Sequence, residues 1–349
     1  MLRLPKFRYL QPKSVAEAVK MMADAGPEAM YVAGGTDLYP NMKRRQQTPK
    51  IVIGLAQLQH LRTIKGKPKE GMALGAGLTL TEVTEDRRIQ RAYPIVATAT
   101  ELISTPLLRN MGSIGGNLLL DTRCNYYDQN YEWRKAIHFC MKKDGDICWV
   151  APSSPRCWAV QSSDCAPVMV AIGAQVKLVS TSGERLIPAA ELYNDDGIHH
   201  LNKRPDELLT EIHLPPTNGW RATYWKLRRR GSFDFPVLGV AACLRMAKDG
   251  MVEDAKIILG GVGSHPVEAT ASEKAIIGKK LTEDTIREAA APAYPTAKPL
   301  DNTDFAMSWR KDMARYYVAG TLRELAGLPA NPPRQGSGNS SSDRSVLSD

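Results

Sequence analysis

The chain contains no run approaching the roughly 20 uninterrupted apolar residues that a membrane span requires, so no transmembrane helix is expected. Its opening stretch, MLRLPKFRYLQPKS, carries Lys and Arg but no apolar core of a secretory signal, so a cytoplasmic location is expected. Several short signatures are missing. No G-x-G-x-x-G follows a strand, which leaves a Rossmann site unsupported. There is no G-x-S-x-G nucleophile elbow. The six histidines include no H-x-x-x-H or H-E-x-x-H pair. His138 alone stays as an outside metal-ligand candidate, two residues from a cysteine. No C-x4-C-x2-C run is present for a plant-type [2Fe–2S] centre, and no two cysteines are as close as a zinc knuckle places them.

What remains is ordinary for a globular protein: 349 residues, 43% apolar and 24% charged. That length predicts two or three domains, able to bury a core without disulfide staples. Collagen-like, coiled-coil and wholly disordered chains are excluded. The net charge of +9 is compatible with nucleic acid, an anionic cofactor or an acidic protein partner. The one tight basic run, Lys226-Leu-Arg-Arg-Arg230, lies in a stretch that reads as a strand. No helix-turn-helix, RNP or zinc-finger pattern accompanies it, so no nucleic-acid partner is expected.

The N-terminal third alternates helix and strand signals. Ser14-Val-Ala-Glu17 is a capping box, Val15, Val19 and Met22 share one helical face, and Gly26-Pro27 stops the helix. Residues 30–33 read as a buried strand running into a Gly-Gly loop and a helix over 38–45, with another strand at 51–55. Beyond residue 56, strands near 61–64, 72–75 and 176–179 mix with helices over 80–86 and 95–103. Between Asn117 and Asp164 the apolar periodicity disappears, and a loop of that length needs a function or something to hold it. After Pro215-Pro216, strands at 224–229, 237–245 and 253–259 precede helices at 282–291 and 309–325, a separate α+β unit. The expected division is 1–55, 56–215 (with an insert at about 118–162), 216–328, and a Pro/Gly/Ser-rich disordered tail at 329–349.

Two glycine clusters could carry chemistry. In Ala33-Gly34-Gly35-Thr36-Asp37-Leu38, adjacent glycines allow positive φ and close approach of a ligand, and successive amides can form an anion nest suited to a pyrophosphate. Alone, the same residues make an ordinary strand-to-helix turn. Gly112-Ser113-Ile114-Gly115-Gly116-Asn117 is a second such loop. Ser163-Asp164 offers a carboxylate acceptor for a ribose or ribityl hydroxyl. Lys226 and the arginines after it could neutralise an anionic cofactor or simply face solvent.

Five of the six cysteines fall within 42 residues. Cys124, Cys140, Cys148 and Cys157 are separated by 15, 7 and 8 residues. Four thiolates are what a [4Fe–4S] cluster needs. Structural zinc also takes four, usually as close pairs. Unligated thiols or disulfides remain a third reading, and Cys165 could substitute for one of the four. Cys243 sits in an apolar strand and reads as a small buried hydrophobe.

Taken in order, Ala33–Leu38, Gly112–Asn117 and Ser163-Asp-Cys-Ala-Pro167 resemble the FAD-binding medium subunits of molybdenum hydroxylases, which include xanthine, aldehyde and carbon monoxide dehydrogenases. The resemblance covers about residues 5–328. Most of that family passes directly from Gly-Gly-Asn to Ser-Asp. Here about 40 residues intervene. Asp121-Thr-Arg-Cys124, the Tyr- and Trp-rich run 125–134 and the cysteine spacing resemble the β subunit of 4-hydroxybenzoyl-CoA reductase, where the insert holds an extra [4Fe–4S] cluster.

The resemblance implies an α+β chain: a two-part FAD-binding domain of the vanillyl-alcohol-oxidase type with an iron–sulfur insertion, then a carbon monoxide dehydrogenase flavoprotein C-terminal domain. It implies FAD held by residues 33–38 and by Gly112, Ser113, Gly115, Gly116 and Asn117, with Asp164 on the ribityl or adenosine side and Lys226 near the cofactor. It selects Cys124, Cys140, Cys148 and Cys157 as cluster ligands over Cys165. It implies a large partner with the molybdopterin cofactor, a small partner with two [2Fe–2S] centres, a dimer of heterotrimers, and ferredoxin as electron donor. The whole enzyme would reductively dehydroxylate an aromatic acyl-CoA. An oxidative aldehyde or aromatic hydroxylase of the same family, and a flavin-free zinc-stabilised binding protein, are the alternatives.

Overall fold

The structure, a computed structural model, describes residues 2–217 and 219–331. Nearly all of the tail expected to be disordered therefore lies outside the described residues.

The first sheet is parallel, with β1 (Arg8–Leu10) and β2 (Ala29–Val32) on either side of β3 (Ile51–Gly54). The helix Val15–Ala25 links β1 to β2 and buries Ala18, Val19 and Met22. Ser14 Oγ accepts from the Glu17 amide at 3.1 Å, while the Glu17 carboxylate takes the Lys13 amide, one residue further back than the motif dictates. β2 runs straight into the first glycine loop and the short helix Leu38–Lys43.

The second sheet comprises β4 (Ile64–Lys67), β5 (Gly71–Gly75), β6 (Gln175–Ser180), β7 (Gly183–Pro188) and β8 (Leu208–Leu214). It is antiparallel, in the order β4-β5-β8-β6-β7. The strand expected at 61–64 is corrected: Gln59–Arg62 is a 3₁₀ turn and the strand starts at Ile64. Leu61 is a buried anchor, and its carbonyl accepts the Gly77 amide at 2.8 Å. The helices Leu80–Glu85, Pro94–Glu101 and Cys165–Ala171 contribute Leu80, Val96, Ala99 and Met169 to this sheet's core.

The third sheet is antiparallel, ordered β12 (Val267–Glu268), β11 (Val252–Gly260), β10 (Leu238–Met246), β9 (Trp220–Leu227). Alternation with period two decides its packing. Tyr224, Ala241, Cys243 and Ile258 point into the core of the second sheet, while Trp225, Val240, Ala242, Leu244, Ile257 and Leu259 point into a core capped by helices Glu283–Ala290 and Met307–Ala326. Both faces are buried, so β10 reads as an almost continuous apolar run. Cys243 is a buried core residue. Between Asn117 and Asp164 the only helix beyond the one-turn Ile114–Leu118 is Tyr131–Ala136. No described helix is long and apolar enough to cross a membrane.

Candidate functional site

The first two sheets face each other across a cleft of about 280 Å³. The first glycine loop forms one wall. Within that loop the amides of Gly34, Gly35, Thr36, Asp37 and Leu38 donate to no described group, so five consecutive N–H donors remain unspent. Gly35 has φ 71°, which turns this row of donors. Thr36 makes no side-chain hydrogen bond among the described residues and lines the cleft beside them.

The second loop abuts the first. A Cβ added at Gly34 would lie 1.7 Å from the Met111 carbonyl oxygen. Here the amides are already engaged: Gly112 donates to Leu108, Ile114 to Leu78, Gly115 to Ala76, and Gly116 to Ser113 Oγ. The second loop therefore supplies shape and the Ser113 hydroxyl, whose proton remains free, while the first supplies main-chain donors. Residues 33–38, Gly112, Ser113, Gly115, Gly116 and Asn117 all line the cleft. Leu55, Leu61, Leu80 and Leu119 give it apolar walls.

Asp164 and Lys226 are brought together, but away from the cleft. Asp164 Oδ2 accepts from Lys226 Nζ at 2.9 Å and Oδ1 from the Tyr224 hydroxyl at 2.8 Å; Lys226 also donates to the Leu102 carbonyl at 3.0 Å. Both side chains are almost wholly buried. Burial pushes the carboxyl up and the amine down, and their mutual attraction opposes both shifts. They bridge the helix Cys165–Ala171 and β9.

Cys124, Cys140 and Cys157 share one small buried cluster with Tyr127 and Ala159. Cys148 is buried as well and lies close enough to Cys157 for its charge to raise the Cys157 thiol. Burial pushes the Cys124 thiol up to about 12 and the Cys157 thiol up to about 11, and also raises Cys140. One of these sulfurs accepts a main-chain N–H: Cys157 Sγ takes the Ala159 amide at 3.4 Å. Cys165 belongs to the core of the second sheet instead, and His138 is an exposed residue at φ 60°. Among the described residues, no three His, Cys, Asp or Glu side chains are gathered tightly enough to hold a single metal ion. The tetrahedral quartet of zinc, with sulfurs about 3.8 Å apart for a Zn–S bond near 2.3 Å, is thus not assembled here.

Other residues at the site were not legible as such. Asp121 lines the cleft, and its carboxylate takes Lys142 Nζ at 2.8 Å and the Tyr127 hydroxyl at 3.0 Å, so it joins the cleft to the cysteine cluster. Lys203 lines the opposite wall, where burial lowers its amine to about 8. Phe235 reaches in from the third unit and lies under the Arg123 guanidinium, 4.7 Å from its ring centre. The Asp121–Cys124 stretch signals only the first of these, because Lys203 and Phe235 arrive from distant loops.

A cleft with a row of free amides on one wall has the form of a site for a phosphorylated ligand such as a dinucleotide. Comparison with known proteins gives the family. Residues 5–217 match the FAD binding domain in molybdopterin dehydrogenase, and residues 222–325 match the CO dehydrogenase flavoprotein C-terminal domain. The aldehyde oxidoreductase FAD-binding subunit of Escherichia coli strain K12 is 31% identical, over 84% of this chain and 92% of its own. The glyceraldehyde dehydrogenase medium chain of Sulfolobus acidocaldarius is 25% identical, over 92% of this chain and 99% of its own. Among solved structures, reconstituted CO dehydrogenase from Oligotropha carboxidovorans superposes with a TM-score of 0.77 at 25% identity, covering 94% of this chain and 100% of that one. The chain belongs to the FAD-binding medium subunits of the molybdenum hydroxylase family, and is the flavoprotein component of an oxidoreductase. Its fold is the α+β pair of domains that the sequence implies, and the flavin-free alternative falls.

Proposed function

We propose that the chain is the FAD- and [4Fe–4S]-bearing electron-transfer subunit of a molybdenum-dependent enzyme of the 4-hydroxybenzoyl-CoA reductase type. For the flavin, the carrying observation is the row of five unspent amides at 34–38. Neutral N–H donors facing one way bind pyrophosphate oxygens directly. The Thr36 and Ser113 hydroxyls add two further donors, and Gly112, Gly115, Gly116 and Asn117 form the floor. In this reading Asp164 and Lys226 act through the packing of that floor.

For the cluster, the supporting observation is the gathering of Cys124, Cys140 and Cys157 in one buried group, with Cys148 buried as well and the Ala159 N–H donated to Cys157 Sγ. Iron-bound sulfur carries negative charge, and such bonds stabilise it and set its potential. The same burial that keeps the free thiols protonated requires a cationic centre before they can ionise. When bound, the flavin and the cluster supply two-electron and one-electron exchange respectively. The chain's own residues bind them, exclude water and fix local charge.

The proposed division into 1–55, 56–215 and 216–328 falls between the three sheets. The proposed partners are the molybdopterin-bearing large subunit and the small subunit with two [2Fe–2S] centres, in a dimer of heterotrimers. An acidic ferredoxin suits the net charge of +9. One observation favours a second reading, an oxidative hydroxylase: the relative at 31% identity is named an aldehyde oxidoreductase subunit. A redox titration separates the two. A cluster potential well below that of the flavin supports the reductase; one at or above it supports the oxidative enzyme.

The test of the cofactor set is analytical. The purified chain is expected to show flavin bands over broad iron–sulfur absorption, with about four irons per chain. Cys148→Ser should remove the iron and leave FAD bound. Stoichiometric zinc in place of iron would overturn the cluster.

A further inference from the structure

Asp37 occupies the cap position of the helix Leu38–Lys43, yet its carboxylate caps nothing. An aspartate there ordinarily folds back to accept from the second or third amide of its helix. Here the carboxylate is drawn off the loop. Oδ1 is paired with Arg123 Nη2, and Oδ2 accepts from Asn41 Nδ2 at 2.9 Å. Arg123 and Asn41 are both buried, and Arg123 is stacked on Phe235. The far end of the same helix is pinned from the same insert. The Arg134 guanidinium, fully buried, donates to the carbonyls of Arg44 and Arg45 at 3.2 and 3.0 Å.

We propose that Arg123 is a positioning residue for the dinucleotide: it restrains the Asp37 carboxylate so that the amides of the first glycine loop stay open to phosphate. This rests on the flavin reading above. Released, the carboxylate would turn onto its own loop, occupy donors that the pyrophosphate needs, and set a negative charge beside two phosphates. The insert thereby serves the flavin site as well as housing the cysteines, and Arg134 keeps the helix in place so that only the carboxylate moves.

The prediction is a reversal that loss of packing would not produce. FAD affinity is measured by fluorescence quenching on the deflavinated full chain, with thermal melting as a check of folding. Arg123→Met should weaken FAD at least tenfold. Asp37→Ala keeps the main-chain amide and removes only the carboxylate, so it is the reference for the reversal. The double variant Arg123→Met/Asp37→Ala should bind FAD within about threefold of Asp37→Ala and several-fold more tightly than Arg123→Met. A double variant as weak as Arg123→Met, or an Arg123→Met chain with parental affinity, would overturn the proposal. If the parent itself takes up no FAD, the dinucleotide reading fails at its root. If the parent binds FAD but no iron, only the cluster reading fails, and the Arg123 series still decides this one.

Discussion

At the scale of single residues, the two glycines of the first loop are required for different reasons. Gly35 holds φ 71°, a conformation that L side chains adopt at a cost of roughly 1 kcal/mol or more, and its missing Cβ leaves room for the Tyr39 ring. Gly34 has no need of positive φ. It is glycine because the second loop leaves no space: an added Cβ would meet Met111 O at 1.7 Å and Gly112 N at 3.0 Å, and both are backbone atoms that cannot swing aside. Gly34→Ala must therefore push the two loops apart. We expect at least a tenfold loss of FAD affinity, with a destabilisation of about 1–3 kcal/mol, typical of overpacking. Flavin content after gel filtration, read beside a urea melt, checks both. A Gly34→Ala chain that keeps its flavin would mean that the loops do not act as one wall.

At the scale of elements, legibility followed periodicity. The helix from Val15 was readable because one face is apolar and the other wet, and the strand before Gly34 because it is a short apolar run ahead of a glycine pair. The helix Cys165–Ala171 was not. It is buried nearly all round, so it has no stripe to detect. β7 is a wet edge strand with Leu186 exposed, and it carries no alternating apolar signal. The glycine loops were readable as a nest, but sequence could not tell which loop keeps its amides free, because that depends on carbonyls at Ala76, Leu78 and Leu108. One further element, the helix Thr270–Ile276, brings a buried carboxyl to a strand: Glu273 accepts from the Ile257 amide at 2.8 Å. Burial raises its pKa to about 7, with Glu268 adding repulsion and Lys256 and the amide opposing. Because the folded value lies above the unfolded one, the folded chain binds the extra proton. The contribution is full at low pH and is lost as pH rises through about 7. Urea unfolding should show stability falling by on the order of 2 kcal/mol between pH 5 and pH 8. Glu273→Gln, which keeps the acceptor oxygen, should flatten that slope. An unchanged slope would assign it elsewhere.

At the scale of the whole molecule, the third sheet closes the core of the flavin-binding part, so the two units are not independent. Tyr224, Ala241, Cys243 and Ile258 pack into that core, and Gly260 lies against Pro167, where an added Cβ would sit 3.0 Å from the proline ring. The Asp164–Lys226 pair is set at this seam. A buried pair contributes little net stability, but breaking it strands a charge at a cost of about 3–5 kcal/mol. This separates two roles for Asp164. If it works at the seam, Asp164→Asn should lower unfolding stability by several kcal/mol, Asp164→Asn/Lys226→Met should recover much of that loss, and the folded fraction should keep its FAD. If it contacts the cofactor, Asp164→Asn should cost flavin affinity at nearly unchanged stability, and Lys226→Met should not restore it. The geometry at Tyr224 and Leu102 favours the first outcome, because both carboxylate oxygens are already engaged and the amine has a second acceptor. Paired denaturation and flavin-binding curves on the three variants decide it.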